Sequence, residues 1–216
     1  MLKPYHRLIT TQALQEHFSA QALEDIVSAN LGQDAILRGQ IGHDEYHFDQ
    51  NAFAKSWAYI EHNRRLIRPA LEAGQALPAR QALGRLTHAA QDLYAHSNYI
   101  ALWLERFPQG EWPSAEDIDP FDGKLLQGPD LRSGKLYYPL EVLSFVPFLK
   151  KYILLFLPRD SHAWMNLDSP ERGPYYPYAF AAAGKRTSYE YEQTVRGLPA
   201  ASLSIFCGKT TSHREV

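Results

Sequence analysis

Cysteine is almost missing from this chain of 216 residues: Cys207 stands alone, which rules out an internal disulfide and any cysteine-based zinc finger. A surplus of charge of either sign is missing too. The formal net charge of −2 marks no sequence-independent binder of nucleic acid or of an acidic membrane. No apolar run is long enough to cross a bilayer, because the most apolar stretch, 137–158, is interrupted by Glu141, Pro147, Lys150 and Lys151. A buried helix is expected there, with an interfacial segment that meets lipid as the lesser alternative. The first residues, Met1 to Arg7, lack the apolar core of a signal peptide, so the chain reads as cytoplasmic, or as secreted if it is a trimmed mature form. There is no Gly-x-Ser-x-Gly elbow, no phosphate-binding glycine loop and no reactive cysteine context. Neither strand-like alternation nor an internal repeat occurs, which leaves an all-α domain.

What the chain has instead is histidine, nine residues in all. Between Ala82 and Asn98, His88, Asp92 and His96 follow one another at four-residue intervals. On an α-helix each such step turns the side chain by only ~40°, so the three share one slowly drifting stripe. His88 and Asp92 are neighbours that can hold a single cation. His88 and His96 lie ~12 Å apart along the axis, too far to share one comfortably. The spacing therefore suggests two ions, with Asp92 between them as a bridge. The surrounding pattern predicts a long helix from Ala76 to Phe107, with Pro78 in its first turn. Leu83, Leu86, Ala90, Leu93, Ile100, Leu102 and Leu104 make it apolar on more than one side, hence buried and central. An unpaired Asp92 in that setting would be costly.

The rest of the chain frames this helix. Residues 7–31 read as two short helices, with Ser19 capping the second. His6 sits just ahead of the first, and His17 reads as a solvated helix residue. Residues 32–50 read as a polar loop that gathers Asp34, His43, Asp44, Glu45, His47 and Asp49. Residues 51–73 form a strong helix through Phe53, Trp57, Ile60, Leu66, Ile67 and Leu71. The Pro- and Gly-rich stretch 108–136 is a long irregular loop. A last helix is expected from about Tyr175 to Arg196, and 197–216 reads as a loose tail.

Side chains that could converge are His6, Asp34, His47, His88, Asp92, His96, His162 and Asp168. Mixed imidazole and carboxylate donors suit zinc, with Mn²⁺ or Fe²⁺ as alternatives. Several ions bridged by a carboxylate are typical of phosphoester hydrolysis, where one ion activates water and the others neutralise the phosphoryl oxygens.

The run Leu83-Gly-x-x-x-His88-x-x-x-Asp92-x-x-x-His96-Ser-Asn98 resembles the zinc-dependent phospholipase C and single-strand nuclease superfamily, particularly its HET-C-like branch. Tyr5-His6-Arg7-x-Ile9-Thr10, Ala29-Asn30-x-x-x-Asp34, His47-Phe48-Asp49 and His162-x-x-x-Asn166-x-Asp168 agree in order. The length suits a single domain over 1–216, and the resemblance, which covers roughly residues 5–195, implies a multi-helix bundle of the phospholipase C and nuclease type with long loops around a metal cleft. It also implies two to three zinc ions. Asp34, His47, His88 and Asp92 would hold one, His6 and the bridging Asp92 a second, and His96 with His162 a third. Asn166 stands where the superfamily has a glutamate, so Asp168 is the available substitute.

The expected activity is phosphodiester hydrolysis by metal-bound water, with Asp34 or Asp49 orienting or deprotonating it. Phospholipid is favoured as substrate by the apolar 137–158 segment, contact with a membrane surface is expected alongside, and no stable nucleic-acid complex is. A single-strand nuclease, or a non-enzymatic metal-stabilised protein acting at membranes or on a partner, are the alternatives.

Overall fold

A computed structural model describes residues 1–35, 42–108, 110–140 and 152–209. Ten α-helices and three 3-10 turns make up the regular structure among these residues, with two isolated β-bridges and no strands. The all-α expectation therefore holds.

The centre is α5, Ala76–His96, whose last eleven residues, 86–96, are all buried. Around it stand α2 (Ala20–Gly32), α4 (Phe53–Glu72) and the long α9 (Tyr176–Val195), while α1 (Lys3–Leu14) packs on α2 and α9. Each neighbour offers one apolar stripe. Ala22, Ile26 and Val27 come from α2, and Ile60, Ile67 and Leu71 from α4; Ala179, Ala182 and Ala183 come from α9. Ser19 caps α2 as expected, its hydroxyl accepting from the Ala22 amide at 3.3 Å.

The helix expected over Ala76 to Phe107 breaks at Ser97, which takes up an extended backbone, and resumes as the short α6, Tyr99–Leu104. The cause is tertiary. Residues 130–134 run alongside: the Asn98 amide donates to the Arg132 carbonyl at 2.9 Å, the Asn98 side chain binds Asp130 and Arg132, and the Gly134 amide donates to the His96 carbonyl. That competing set of backbone bonds ends the helix right after its last ligand candidate. The same segment then bridges to Ser161, just ahead of α8 (His162–Met165), with the His162 amide donating to the Lys135 carbonyl at 2.8 Å. A Cβ on Gly134 would lie 2.6 Å from the His162 Cα, so glycine is what allows that approach.

Other expectations change as well. His6 lies within α1 and is buried. His17 is exposed but stacks on Tyr191. The loop over 32–50 contains α3, Asp44–His47, and its residues 36–41 lie outside the described ones. The 108–136 stretch holds a 3-10 turn at Ala115–Asp117 and α7, Gly123–Leu126. Of the helix expected within 137–158, residues 141–151 lie outside the description; Leu155 and Phe156 beyond them are 77% and 74% exposed rather than buried. The tail is ordered through α10, Ala200–Cys207, whose Phe206 packs edge-on against Phe18 while Arg80 binds its terminal carbonyls. Residues 210–216 are not described. Among the described residues, no helix is long and apolar enough to cross a membrane.

Gly84 sets the spacing between α2 and α5. A Cβ there would meet the Ile26 carbonyl oxygen at 2.3 Å and the Asn30 nitrogen at 2.9 Å, both backbone atoms that cannot swing away. Gly84→Ala should therefore destabilise the protein by about 1–3 kcal/mol despite alanine's better helix propensity. Urea unfolding measures this, and an unchanged or raised midpoint would show that the two helices are not in contact at Gly84.

Candidate metal centre

Asp92 is fully buried and its two oxygens face different neighbours. Oδ2 lies 2.9 Å from His47 Nδ1 and 3.1 Å from His88 Nε2. Asp34 Oδ1 stands 3.7 Å from that same His88 nitrogen, and the two ring nitrogens are 3.1 Å apart. Around a tetrahedral zinc with bonds of 2.0–2.1 Å, neighbouring donors are about 3.3 Å apart, so these separations match a four-donor set. Oδ1 faces the other way, to His6 Nε2 at 3.2 Å and His96 Nε2 at 3.8 Å. The Met1 ammonium also sits on Oδ1, and lies 3.2 Å from Asp168 Oδ1.

A third set forms around Asp49. Its Oδ1 is 3.0 Å from His162 Nδ1 and 3.4 Å from His96 Nδ1. His96 links the sets, since its other nitrogen meets Asp168 Oδ1 at 3.1 Å.

Local structure explains why these side chains meet. His47 and Asp49 flank Phe48, which has a left-handed backbone (φ 57°), and Gln50 and Asn51 are left-handed too. Such backbone costs about 1–3 kcal/mol per residue in a non-glycine. It is held by the wholly buried Phe48 ring against Phe53 and Trp57, and by paired bonds of Asn51 with Ser133. The turn directs both His47 and Asp49 at α5. The Leu167 amide, bound to the Ala95 carbonyl at 2.7 Å, fixes Asp168 beside His96. Asn166 turns away and donates to the His162 carbonyl.

Seven of the eight ligand candidates, joined by Asp49, are thus brought together in three groups: His6, His88 and Asp92; Asp34, His47 and His88; Asp49, His96 and His162. Asp168 touches the edge of the third. Asp34 and Asp49, expected to serve a reaction, stand among the donors themselves. The Met1 amine is not among the sequence-predicted site groups.

The electrostatics agree. Burial alone would raise the Asp92 carboxyl, but His96, the Met1 ammonium, His6 and His88 overcome it and hold it well below the usual carboxylate range. Burial also opposes ionisation of Asp49 and Asp168. His162 and His96 hold the first far down, and the ammonium with His96 the second. Among the described residues no lysine or arginine forms an ion pair with these carboxylates. His88 is pushed down to about 4, first by burial and then by His6. Burial and the ammonium lower His6 as well. His47 and His96 are raised against their burial by Asp92. The Met1 amine rises to about 11, burial being outweighed by Asp92 and Asp168.

Residues 5–110 match the family model of the VWA7 N-terminal domain. The von Willebrand factor A domain-containing protein 7 of Rattus norvegicus is 36% identical over 100 residues, 44% of this chain and 11% of that protein. The chain thus spans about a tenth of the length of the curated relative it matches. No solved structure matches. The matched region contains His6, Asp34, His47, Asp49, His88, Asp92 and His96, and stops short of His162 and Asp168.

These matches overturn the resemblance to the zinc-dependent phospholipase C and single-strand nuclease superfamily. With it fall its HET-C-like branch, the phosphodiester hydrolase activity, the phospholipid or single-stranded substrate and the reading as an enzyme. The physical reason is plain. A four-residue register of histidine and aspartate is a ligand geometry that any helix can present, and it carries no information about a reaction.

In metal-free protein the His88 ring should stay neutral down to about pH 4. The unfolded ring takes up a proton near 6.5, which the folded one refuses, so His88 lowers stability as pH falls from 6.5 towards 4. His96 acts in the opposite sense: its contribution is complete below 6.5 and is lost as pH rises through its raised folded value. An NMR titration reads both rings, and a His88 midpoint near 6.5 would remove it from this environment.

Proposed function

We propose that this chain is a metal-binding helical domain, in which two to three divalent ions, zinc foremost, tie α1, α3, α5 and the 160–168 segment together. The observation that carries the reading is the set of buried donors without hydrogen-bond partners: His6 Nε2, His88 Nδ1 and Asp34 Oδ2. Buried polar atoms are normally satisfied, and these three, among the seven unsatisfied ones of the described residues, belong to metal-ligating residue types gathered around one carboxylate. Imidazole with carboxylate suits zinc, manganese or iron better than calcium or magnesium. His6, His88 and Asp92 are fully buried, and His47, Asp49 and His96 nearly so. Such closure suits a structural centre, whereas catalytic zinc keeps a position open.

Elemental analysis of the purified protein should find two to three zinc ions per chain. Chelation should lower stability by several kcal/mol, a fall in Tm of roughly 10 °C or more. Asp92→Asn should lose the ions on both sides of that residue, while His162→Ala should lose one only. Protein with no stoichiometric metal, and with a Tm indifferent to chelator, would refute the reading.

Contact with a membrane surface is a second, separate reading. It is favoured by Leu155 and Phe156, adjacent large apolar side chains at 77% and 74% exposure, in a sequence flanked by Lys150, Lys151 and Arg159. Basic residues beside exposed aromatic and aliphatic ones suit an anionic interface. Sedimentation with phosphatidylserine vesicles should fall at least several-fold in a Leu155→Asp/Phe156→Asp variant; equal sedimentation of the two proteins would exclude this contact.

A further inference from the structure

Beneath the ligands lies a fully buried polar network that the metal reading leaves unexplained. Gln91, next to Asp92 on α5, places its Oε1 2.5 Å from His6 Nδ1. Its Nε2 lies 3.0 Å from the hydroxyls of both Thr10 on α1 and Thr187 on α9. Asn30 of α2 joins through Nδ2, 3.3 Å from both Gln91 Oε1 and the Thr87 hydroxyl.

The directions of these bonds follow from one another. The Thr187 hydroxyl gives its only proton to the Ala183 carbonyl at 2.8 Å, so towards Gln91 it can only accept. The Gln91 atom facing it must be the amide nitrogen. Likewise the Thr87 hydroxyl donates to the Leu83 and Gly84 carbonyls, so Asn30 must present its nitrogen to Thr87. Gln91 Oε1 is then an acceptor with two partners, Asn30 and His6. His6 Nδ1 must therefore carry a proton. In the neutral ring Nε2 is left with its lone pair, 3.2 Å from Asp92 Oδ1 and without a hydrogen-bond partner.

We infer that Gln91 is a positioning residue: held by Thr10 and Thr187, it sets His6 in the Nδ1–H tautomer and so turns Nε2 into a ligand for a cation on Asp92. The inference rests on the metal-centre reading. It also links that centre to α9, which contributes none of the ligand candidates. A carbonyl-type acceptor on the second imidazole nitrogen is a general device for fixing a ligand histidine, and its loss typically costs 10- to 100-fold in affinity.

The test uses the whole chain and reads the tautomer before any metal is added. Long-range ¹H–¹⁵N spectra of the metal-free protein should show His6 protonated at Nδ1. Gln91→Leu should move it towards Nε2–H, and zinc competition against a chromophoric chelator should show the affinity for one ion falling roughly 10- to 100-fold. Gln91→Glu, which keeps an acceptor towards His6, should retain the Nδ1–H signature. Thr187→Val removes only the brace and touches no ligand; it keeps the test open if Gln91→Leu does not fold, and should give a partial shift of the same sign. His6 protonated at Nε2 in the wild type would overturn the proposal, as would a tautomer and affinity unchanged in the variants. Wild-type protein that takes up no zinc would overturn the metal centre and this role with it. That outcome is distinct from a zinc-loaded protein indifferent to Gln91.

Discussion

One buried carboxylate governs the interior of this protein. Asp92 lies on the central helix, within the run 86–96 that is buried throughout, where an isolated charge would be prohibitive. Everything near it answers that cost. His47 and His88 face one oxygen, while His6, His96 and the Met1 ammonium face the other. Met1, His6 and His47 come from segments far from α5 in the chain, so neutralising Asp92 draws α1 and α3 onto the central helix. Breaking such a set by removing one partner is far more damaging than its net contribution would suggest, because the remaining charges stay buried.

The way distant segments reach α5 follows the same economy of backbone groups. The 130–135 segment satisfies the carbonyl of His96 and the amide of Asn98, ends the helix, and passes on to bind His162. The left-handed run at Phe48, Gln50 and Asn51 is strained, yet the packed Phe48 ring and the Ser133 bonds hold it, and it aims two donors inward. On the opposite side the polar layer of Gln91, Asn30 and three threonines gives α1, α2 and α9 a common register against α5. Polar groups paired in this way favour one arrangement of helices where apolar contacts alone would tolerate several.

Much of the helical frame was legible because helix signals are local. Ser19, Pro78 and the apolar stripes of α4 and α9 lie within a few residues of what they control. The spacing of His88, Asp92 and His96 was legible for the same reason. Its meaning was not. Read as the signature of a phosphodiesterase superfamily, it pointed to a family that the match of residues 5–110 to the VWA7 N-terminal domain model contradicts. Helices such as α10 were missed because a short apolar segment without periodicity looks like a tail until Phe18 and Arg80 are placed against it.

What the sequence by itself determined is the helical class, the burial of α5 and the residue types able to hold a cation, since each follows from composition or from a period of 3.6. Only the tertiary structure decided which of them meet. It set the Asp49 carboxylate against the His162 ring and Asn166 on the His162 carbonyl, turned the two oxygens of Asp92 to opposite sides, ended α5 at Ser97 and put Gln91 behind His6. Those outcomes depend on backbone hydrogen bonds and close approaches between segments tens of residues apart, at Gly84 and Gly134 above all. No local pattern contains them.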